Sequence, residues 1–222
     1  MSLLETLKDP YYFFTLLIVI NLFFYLFSLG FSHVWAHFKK DTLPKKTFSD
    51  FMNTLLVLFT NIVIAIPGFM LFSNDMIRFN VESNVVIDTL ILLLVIDLAM
   101  YISHKLAHTV FPFSHFHLKH HTHHHFNEFS LYVMNPIESI GLGLIITLLL
   151  YLHSFNLYAV GIFLVINWAW GVVAHLNSEK KRASDFLCNS VFHAIHHQNG
   201  ERNFGFYTVI WDKLFASYQK NL

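Results

Sequence analysis

Residues 85–108 read VVIDTLILLLVIDLAMYISHKLAH, an almost unbroken apolar run from Val85 to Ser103 that ends on two histidines four residues apart. At about 1.5 Å of rise per residue, a helix of that length crosses a hydrocarbon core of roughly 30 Å. His104 and His108 then share one helix face just past the end of the run. This one stretch predicts a membrane span that delivers imidazoles to the membrane surface.

Two more clusters repeat the pattern: His117-x2-His120-His121 and His193-x2-His196-His197. The spacing lets each cluster aim two or three rings at one point. Neutral imidazole suits iron, zinc, copper and nickel alike, so the clusters indicate a transition-metal centre without naming the metal. Eight histidines exceed what one ion takes, and two ions are the natural reading. The single Cys188 excludes an intramolecular disulfide and a Cys-based zinc or iron–sulfur site.

Composition says where such a centre sits. The 222 residues are 55% hydrophobic and 13% charged, a membrane protein's balance with no sign of nucleic-acid binding. Tyr11 to Ser32 and Phe51 to Phe72 also read as spans. Ile137 to Leu152 and Phe155 to Trp170 are shorter and form either a tight pair of spans or a hairpin that dips in. Both versions return the chain to one side. Short cytoplasmic loops collect Lys and Arg, and the loop after the first span holds Lys39, Lys40, Lys45 and Lys46. The N-terminal tail and the loop from Ser73 to Asn84 therefore read as non-cytoplasmic. His104 to Pro136, and the segment after His175 with Lys180, Lys181 and Arg182, read as cytoplasmic. The N-terminus lacks the basic flank and small-residue cleavage site of a signal peptide and is expected to stay as an anchor. The expectation is an all-α, polytopic membrane helical bundle of about four to five apolar segments with a cytoplasmic His-rich helical cap, in one domain spanning 1–222.

The ordered boxes resemble those of the fatty acid hydroxylase and sterol desaturase superfamily of membrane di-metal oxygenases. Asp97-x3-Tyr101-x2-His104-Lys105-x2-His108 is similar to that family's Asp-x3-Tyr-x2-His-Arg-x2-His, and His117 begins where its second box begins. Pro136-x-Glu138 resembles its His-Pro-x-Glu, and His175-x-Asn177 its isolated His-x-Asn. His193-x2-His196-His197, Asn203-Phe204-Gly205 and Trp211-Asp212-Lys213-Leu214-Phe215 resemble its C-terminal signature. The resemblance covers roughly Asp97 to Ser217. Asn135 replaces the histidine of His-Pro-x-Glu, Lys105 the usual arginine, and Ala216-Ser217 the usual Gly-Thr. Gly171 stands four residues before His175, where some hydroxylases carry another histidine. The resemblance thus implies nine ligands: His104, His108, His117, His120, His121, His175, His193, His196 and His197.

His120-x2-His123-His124 and His121-x2-His124-His125 satisfy the box spacing too, so spacing alone leaves the register open. The resemblance selects His117 and makes His123, His124 and His125 neighbours of the centre, facing substrate or solvent. His33 and His37 read as interfacial residues at the end of the first span, and His153 lies on the opposite side. Asp97, seven residues before His104, is an expensive charge near a span end and is placed to accept a hydrogen bond from a ligand histidine. Glu138 is placed for the same task or for helix capping.

The reading that follows is an oxidoreductase: an O2-dependent hydroxylase of a lipid C–H bond with two iron ions. Its substrate is an acyl chain, sterol or carotenoid-like lipid, and desaturation is the nearest variant. No flavin, nicotinamide or haem motif is present, so electrons come from a separate redox partner, a ferredoxin or cytochrome b5-like donor with its reductase. The competing readings are a His-rich metal-binding transporter or sensor, and a scaffold that has lost activity.

Overall fold

The structure, a computed structural model, describes residues 3–39, 45, 47–121, 127, 129–176 and 182–221. His123, His124, His125, Asn177, Lys40, Lys46, Lys180 and Lys181 lie outside the described residues. The elements in order are α1 (Leu3–Leu7), α2 (Pro10–Lys39), α3 (Phe48–Ser73), α4 (Val85–Thr109), α5 (Phe113–His121), a 3-10 turn (Ser130–Tyr132), α6 (Pro136–Leu152), α7 (Leu157–Ala174), α8 (Ser190–Gln198) and α9 (Ile210–Leu214). Among the described residues there is no strand; Arg182 with Asn221 and Leu187 with Thr208 form only isolated bridges. The all-helical expectation holds.

Four helices, α2, α3, α4 and α7, are long and apolar enough to cross a membrane, and α6 is a shorter apolar helix of 17 residues. Asparagine starts three of the five. Asn84 accepts from Val86 N and Ile87 N to open α4, Asn156 accepts from Tyr158 N to open α7, and Asn135 accepts from Ile137 N to open α6. Pro136 sits in the first turn of α6, where its missing N–H leaves nothing unpaired. Two helices outrun their apolar stretches. α4 continues past Ser103 to Thr109 and stops short of the Phe111–Pro112 pair, so His104 and His108 ride its last turns. α7 runs on to Ala174 and hands the chain directly to His175.

The bundle is packed as lipid solvent demands, with large apolar side chains outward and small or polar ones between helices. On α2, Leu16, Phe23, Leu26 and Phe27 are exposed while the buried residues are Ser28, Ser32 and Ala36. Ser28 Oγ accepts from Trp168 Nε1 at 3.0 Å and lies 3.3 Å from the Tyr132 hydroxyl, tying α2 to α7 and the 3-10 turn. The apolar core joins Leu92 and Ile96 of α4 to Phe155, Val160 and Phe163 around α7, and Tyr207 of the C-terminal segment closes it. A second core of Ala183, Cys188, Val191, Phe192, Ile195 and Val209 underlies α8. The consequence for function is geometric. The ends of α4 and α7, the start of α6, and the whole of α5 and α8 meet at one end of the bundle.

Candidate metal centre

At that end nine imidazoles gather in two groups. His104, His108, His117, His121 and His196 form one, and His120, His175, His193 and His197 the other, with the ligand nitrogens of each group within 4.8 Å of one another. All nine histidines singled out from the sequence fall in one group or the other. The boxes are nevertheless divided differently from the expectation that each would aim two or three rings at one point. On α5, His117 and His121, four residues apart, face the first group while His120 faces the second. On α8, His193 and His197 face the second group and His196 the first. The reason is helical: residues four apart stack on one face, while adjacent residues diverge by about 100°. An x2-His-His box on one helix therefore feeds two points.

Within the groups the rings present Nε2 inward. His121 Nε2 lies 3.1 Å from both His108 Nε2 and His117 Nε2, and 3.0 Å from His196 Nε2. In the second group, His193 Nε2 lies 3.2 Å from His175 Nε2, and His197 Nε2 lies 3.1 Å from His193 Nε2 and 3.2 Å from His120 Nε2. Five of the outward nitrogens are held by acceptors. His104 Nδ1 meets the Phe204 carbonyl at 2.9 Å, His196 Nδ1 the Arg202 carbonyl at 2.7 Å, His120 Nδ1 the Val133 carbonyl at 3.2 Å and His175 Nδ1 the Gly171 carbonyl at 2.7 Å. His117 Nδ1 pairs with Glu138 Oε1. A proton fixed on Nδ1 by a carbonyl leaves the Nε2 lone pair pointing into the group.

Lone pairs converging at these separations repel unless a cation lies among them. Ligand nitrogens bound at about 2.1 Å and set near right angles fall roughly 3 Å apart, which is the spacing seen here. His104 Nε2 is buried and has no hydrogen-bond partner among the described residues. Burial, reinforced by the neighbouring histidines, holds His120, His193 and His196 well below the ordinary histidine range, so these rings are neutral and available as ligands. The residues present thus fit two transition-metal ions. They do not by themselves select iron over zinc.

The two carboxylates diverge. Glu138 makes two contacts: Oε2 accepts from Asn135 N at 3.1 Å in a capping box, while Oε1 pairs with His117 Nδ1. Asn135, where the resemblance would place a histidine, is the other half of that box. Asp97, in contrast, hydrogen-bonds no histidine among the described residues. It accepts from Tyr207 N at 2.7 Å, Thr208 N at 3.3 Å, Thr208 Oγ1 at 2.6 Å and Trp211 Nε1 at 3.0 Å. The shared face with His104 was sound, but seven residues are about 10 Å of helix rise, too far for that bond. Its role is to fasten the C-terminal segment to α4.

That segment carries what the sequence reading left without a role. Asp212 is fully buried and accepts from Phe204 N at 2.8 Å, Gly205 N at 2.7 Å and Ser217 Oγ at 2.6 Å. Asn203 takes a left-handed backbone at φ 60°, which asparagine tolerates, and its amide bonds the Phe192 and Gln219 carbonyls. At Gly205 any Cβ would meet Thr208 O at 2.6 Å and Asp212 Oδ2 at 2.7 Å. The Asn-Phe-Gly and Trp-Asp motifs are one device, which aims the Phe204 carbonyl at His104. The ring of Phe204 packs on His104, His108 and His196. His33 and His37 are exposed on the last turns of α2, outside both groups, and His153 caps α6 at the far end.

The fatty acid hydroxylase family model matches residues 89–217, from the second turn of α4 to the end of the motif that holds His104. Among curated relatives, a Delta(7)-sterol 5(6)-desaturase of Leptosphaeria maculans is 28% identical over 124 residues, covering 56% of this chain and 35% of the relative. A probable Delta(7)-sterol 5(6)-desaturase of Neurospora crassa is 24% identical over 125 residues, covering 56% of this chain and 36% of the relative. The matches thus span about a third of the length of these relatives. No solved structure matches. With the match covering more than half of the chain and taking in all nine gathered histidines, the protein belongs to the fatty acid hydroxylase family.

Proposed function

We propose that this protein oxidises a C–H bond of a membrane lipid with O2, at two iron ions held by His104, His108, His117, His121 and His196 on one side and His120, His175, His193 and His197 on the other. The observation that carries the reading is the pair of converging Nε2 sets at the mouth of an apolar bundle. When bound, two irons would supply the redox equivalents for O2-driven C–H oxidation, which zinc lacks. The chain's own contribution is positional. Carbonyls of Phe204, Arg202, Val133 and Gly171 fix the tautomers, Glu138 fixes His117, and the buried rings keep water from competing for the centre. The lipid enters sideways from the bilayer, and electrons arrive from a separate ferredoxin or cytochrome b5-like donor. The whole of 1–222 acts as one membrane-embedded domain.

Hydroxylation is the primary reading, and the names of the sterol desaturase relatives favour desaturation as the second. Both begin with hydrogen abstraction, and the position of a second C–H bond decides the outcome. The test is metal content after iron-replete expression, joined to lipid mass spectrometry of cells with and without the gene. About two irons per chain and an oxygen-dependent lipid mass change support the reading. A mass gain of one oxygen atom assigns hydroxylation and a loss of two hydrogens desaturation; no lipid change under oxygen removes the enzymatic reading. We also infer that the histidine end of the bundle is cytoplasmic, because Lys39 and Lys45 flank it. Tags at Lys45 and the C-terminus are then protected from an external probe while one at Asn80 is labelled. The reverse pattern overturns the orientation.

A further inference from the structure

Trp170 breaks the rule that Trp168 and Trp211 obey. The indole N–H of Trp168 donates to Ser28 Oγ and that of Trp211 to Asp97 Oδ2, each at 3.0 Å. The Trp170 Nε1 is shut away from solvent and has no acceptor among the described residues. It lies against the apolar core of α4 and α7, edge-on to Tyr207 at a ring separation of 6.1 Å. One turn earlier on α7, Asn167 Oδ1 accepts from the Tyr207 hydroxyl at 2.7 Å, so the amide whose oxygen meets Tyr207 also carries an NH2 donor. A polar group inside a membrane bundle is expensive and marks function by default, and a buried donor left unmade requires an explanation. Phenylalanine would fill the space at Trp170 without that donor.

Position supplies the explanation. Trp170 precedes His175 by five residues on one helix, roughly 7 Å of rise on the lipid side of the four-histidine group. We propose that Trp170 Nε1, with the Asn167 amide beside it, binds an oxygen atom carried by the lipid substrate, a hydroxyl or carbonyl lying a few carbon–carbon bonds from the C–H bond presented to the metals. This rests on the lipid-oxidising reading, and it selects among lipids. An oxygenated ring system or a short-headed acyl derivative satisfies the donor, whereas the middle of a plain hydrocarbon tail leaves it unmade. Sites built to bond a substrate oxygen reject the analogue that lacks it far better than apolar pockets reject an extra methylene.

The test reads the N–H itself and needs neither O2 nor an electron donor. The chain has four tryptophans, so 15N-tryptophan labelling of the purified protein gives a small set of indole signals. That of Trp170 is assigned by its loss in Trp170→Phe, or by elimination with Trp35→Phe, Trp168→Phe and Trp211→Phe. Hexadecanol and cholestanol are added, with hexadecane and cholestane as matched hydrocarbons. The expected result is a downfield movement of the Trp170 signal with one of the alcohols and none with its hydrocarbon, the other indoles staying in place. Trp170→Phe is expected to weaken binding of that alcohol about tenfold and leave the hydrocarbon unchanged. Response to hexadecanol assigns the oxygen to an acyl-type lipid, and response to cholestanol to a sterol. No movement with either alcohol, or equal movement with the hydrocarbons, overturns the inference. An active enzyme with no such movement defeats this inference alone, while the movement in a protein without oxidase activity defeats only the catalytic reading.

Discussion

The two histidine groups share helices α5 and α8 and yet are unequal. Five imidazoles converge in the group fed by α4, α5 and α8, and four in the group fed by α5, the end of α7 and α8. The five-membered group has a carboxylate, Glu138, behind His117, and the C-terminal motif behind His104 and His196. In the four-membered group, the backbone carbonyls of Val133 and Gly171 back His120 and His175. A carboxylate strengthens an imidazole as a donor more than a carbonyl does, and a fifth ligand leaves fewer open positions. The inequality therefore assigns tighter retention to the five-membered site and readier exchange, with more room for an incoming ligand, to the other.

Removing one ring from each group breaks the comparison most directly. His121→Ala leaves four imidazoles in its group and His193→Ala leaves three. Lipid oxidation is expected to fall in both by more than about 100-fold, beyond the range seen when an outer partner is lost. Metal analysis separates them: His193→Ala drops to about one ion per chain, whereas His121→Ala keeps closer to two. Equal loss from both variants would end the claim that the sites differ in affinity.

Glu138 and Asp97 give the next contrast. Glu138→Gln preserves an oxygen for the Asn135 N–H but removes the charge from His117, and is expected to lower metal affinity or activity about 10–100-fold while the protein stays folded. Asp97→Asn instead faces donors at Thr208 Oγ1 and Trp211 Nε1 with an NH2, leaving groups that each cost about 1–3 kcal/mol when unpaired. Its effect is expected in thermal stability of the purified protein, with metal content falling only as the fold does. A stable Asp97→Asn protein with defective metal binding would return Asp97 to the centre.

Why one carboxylate was legible and the other was not follows from distance in the chain. The spans, the caps and the nine histidines are local: periodicity shows faces, and the boxes mark their ends. Glu138 was readable because a capping box is itself a local pattern. The division of each box between two ions was implicit in helical geometry, since His120 and His121 cannot face one point, but it needed α8 opposite α5 to become visible. Asp97 and Trp211 lie far apart in sequence, and nothing local says that they bond. The carbonyls of Phe204, Arg202, Val133 and Gly171 carry no residue signature at all, because any amino acid supplies one.

Acid should sharpen the inequality by a smaller effect. Burial keeps His120, His193 and His196 neutral in the folded chain well below the value of about 6.5 at which exposed histidine protonates. The unfolded chain therefore binds more protons as the pH falls, so the stability these rings allow is complete above about pH 6.5 and declines below it. The three are divided between the groups, His120 and His193 in the four-membered one and His196 in the five-membered one. Desalting at about pH 7.5 and about pH 5.5 should retain both ions in the first case and release one before the other in the second. Simultaneous release of both ions would argue for one cooperative centre.

The smallest effect concerns the missing fifth ring. Gly171 lies one turn before His175, and a Cβ there would stand 2.8 Å from Leu131 Cδ1. No glycine in the described chain has a positive φ, so the constraint on Gly171 is the space beside Leu131 Cδ1 and not backbone shape. Gly171→Ala gains about 0.5–1 kcal/mol of helix propensity and meets an overpacking penalty of about 1–3 kcal/mol, for a net loss near 1 kcal/mol. Leu131→Ala alone opens space and is destabilising by its own lost contacts. Combined with Gly171→Ala it is expected to cost less than the two separate losses together, because the alanine methyl enters the volume that leucine vacated. Thermal melting of the four proteins measures that coupling. Additive losses would mean that Leu131 does not guard this position, and that something other than space keeps the four-membered group from having a fifth ring.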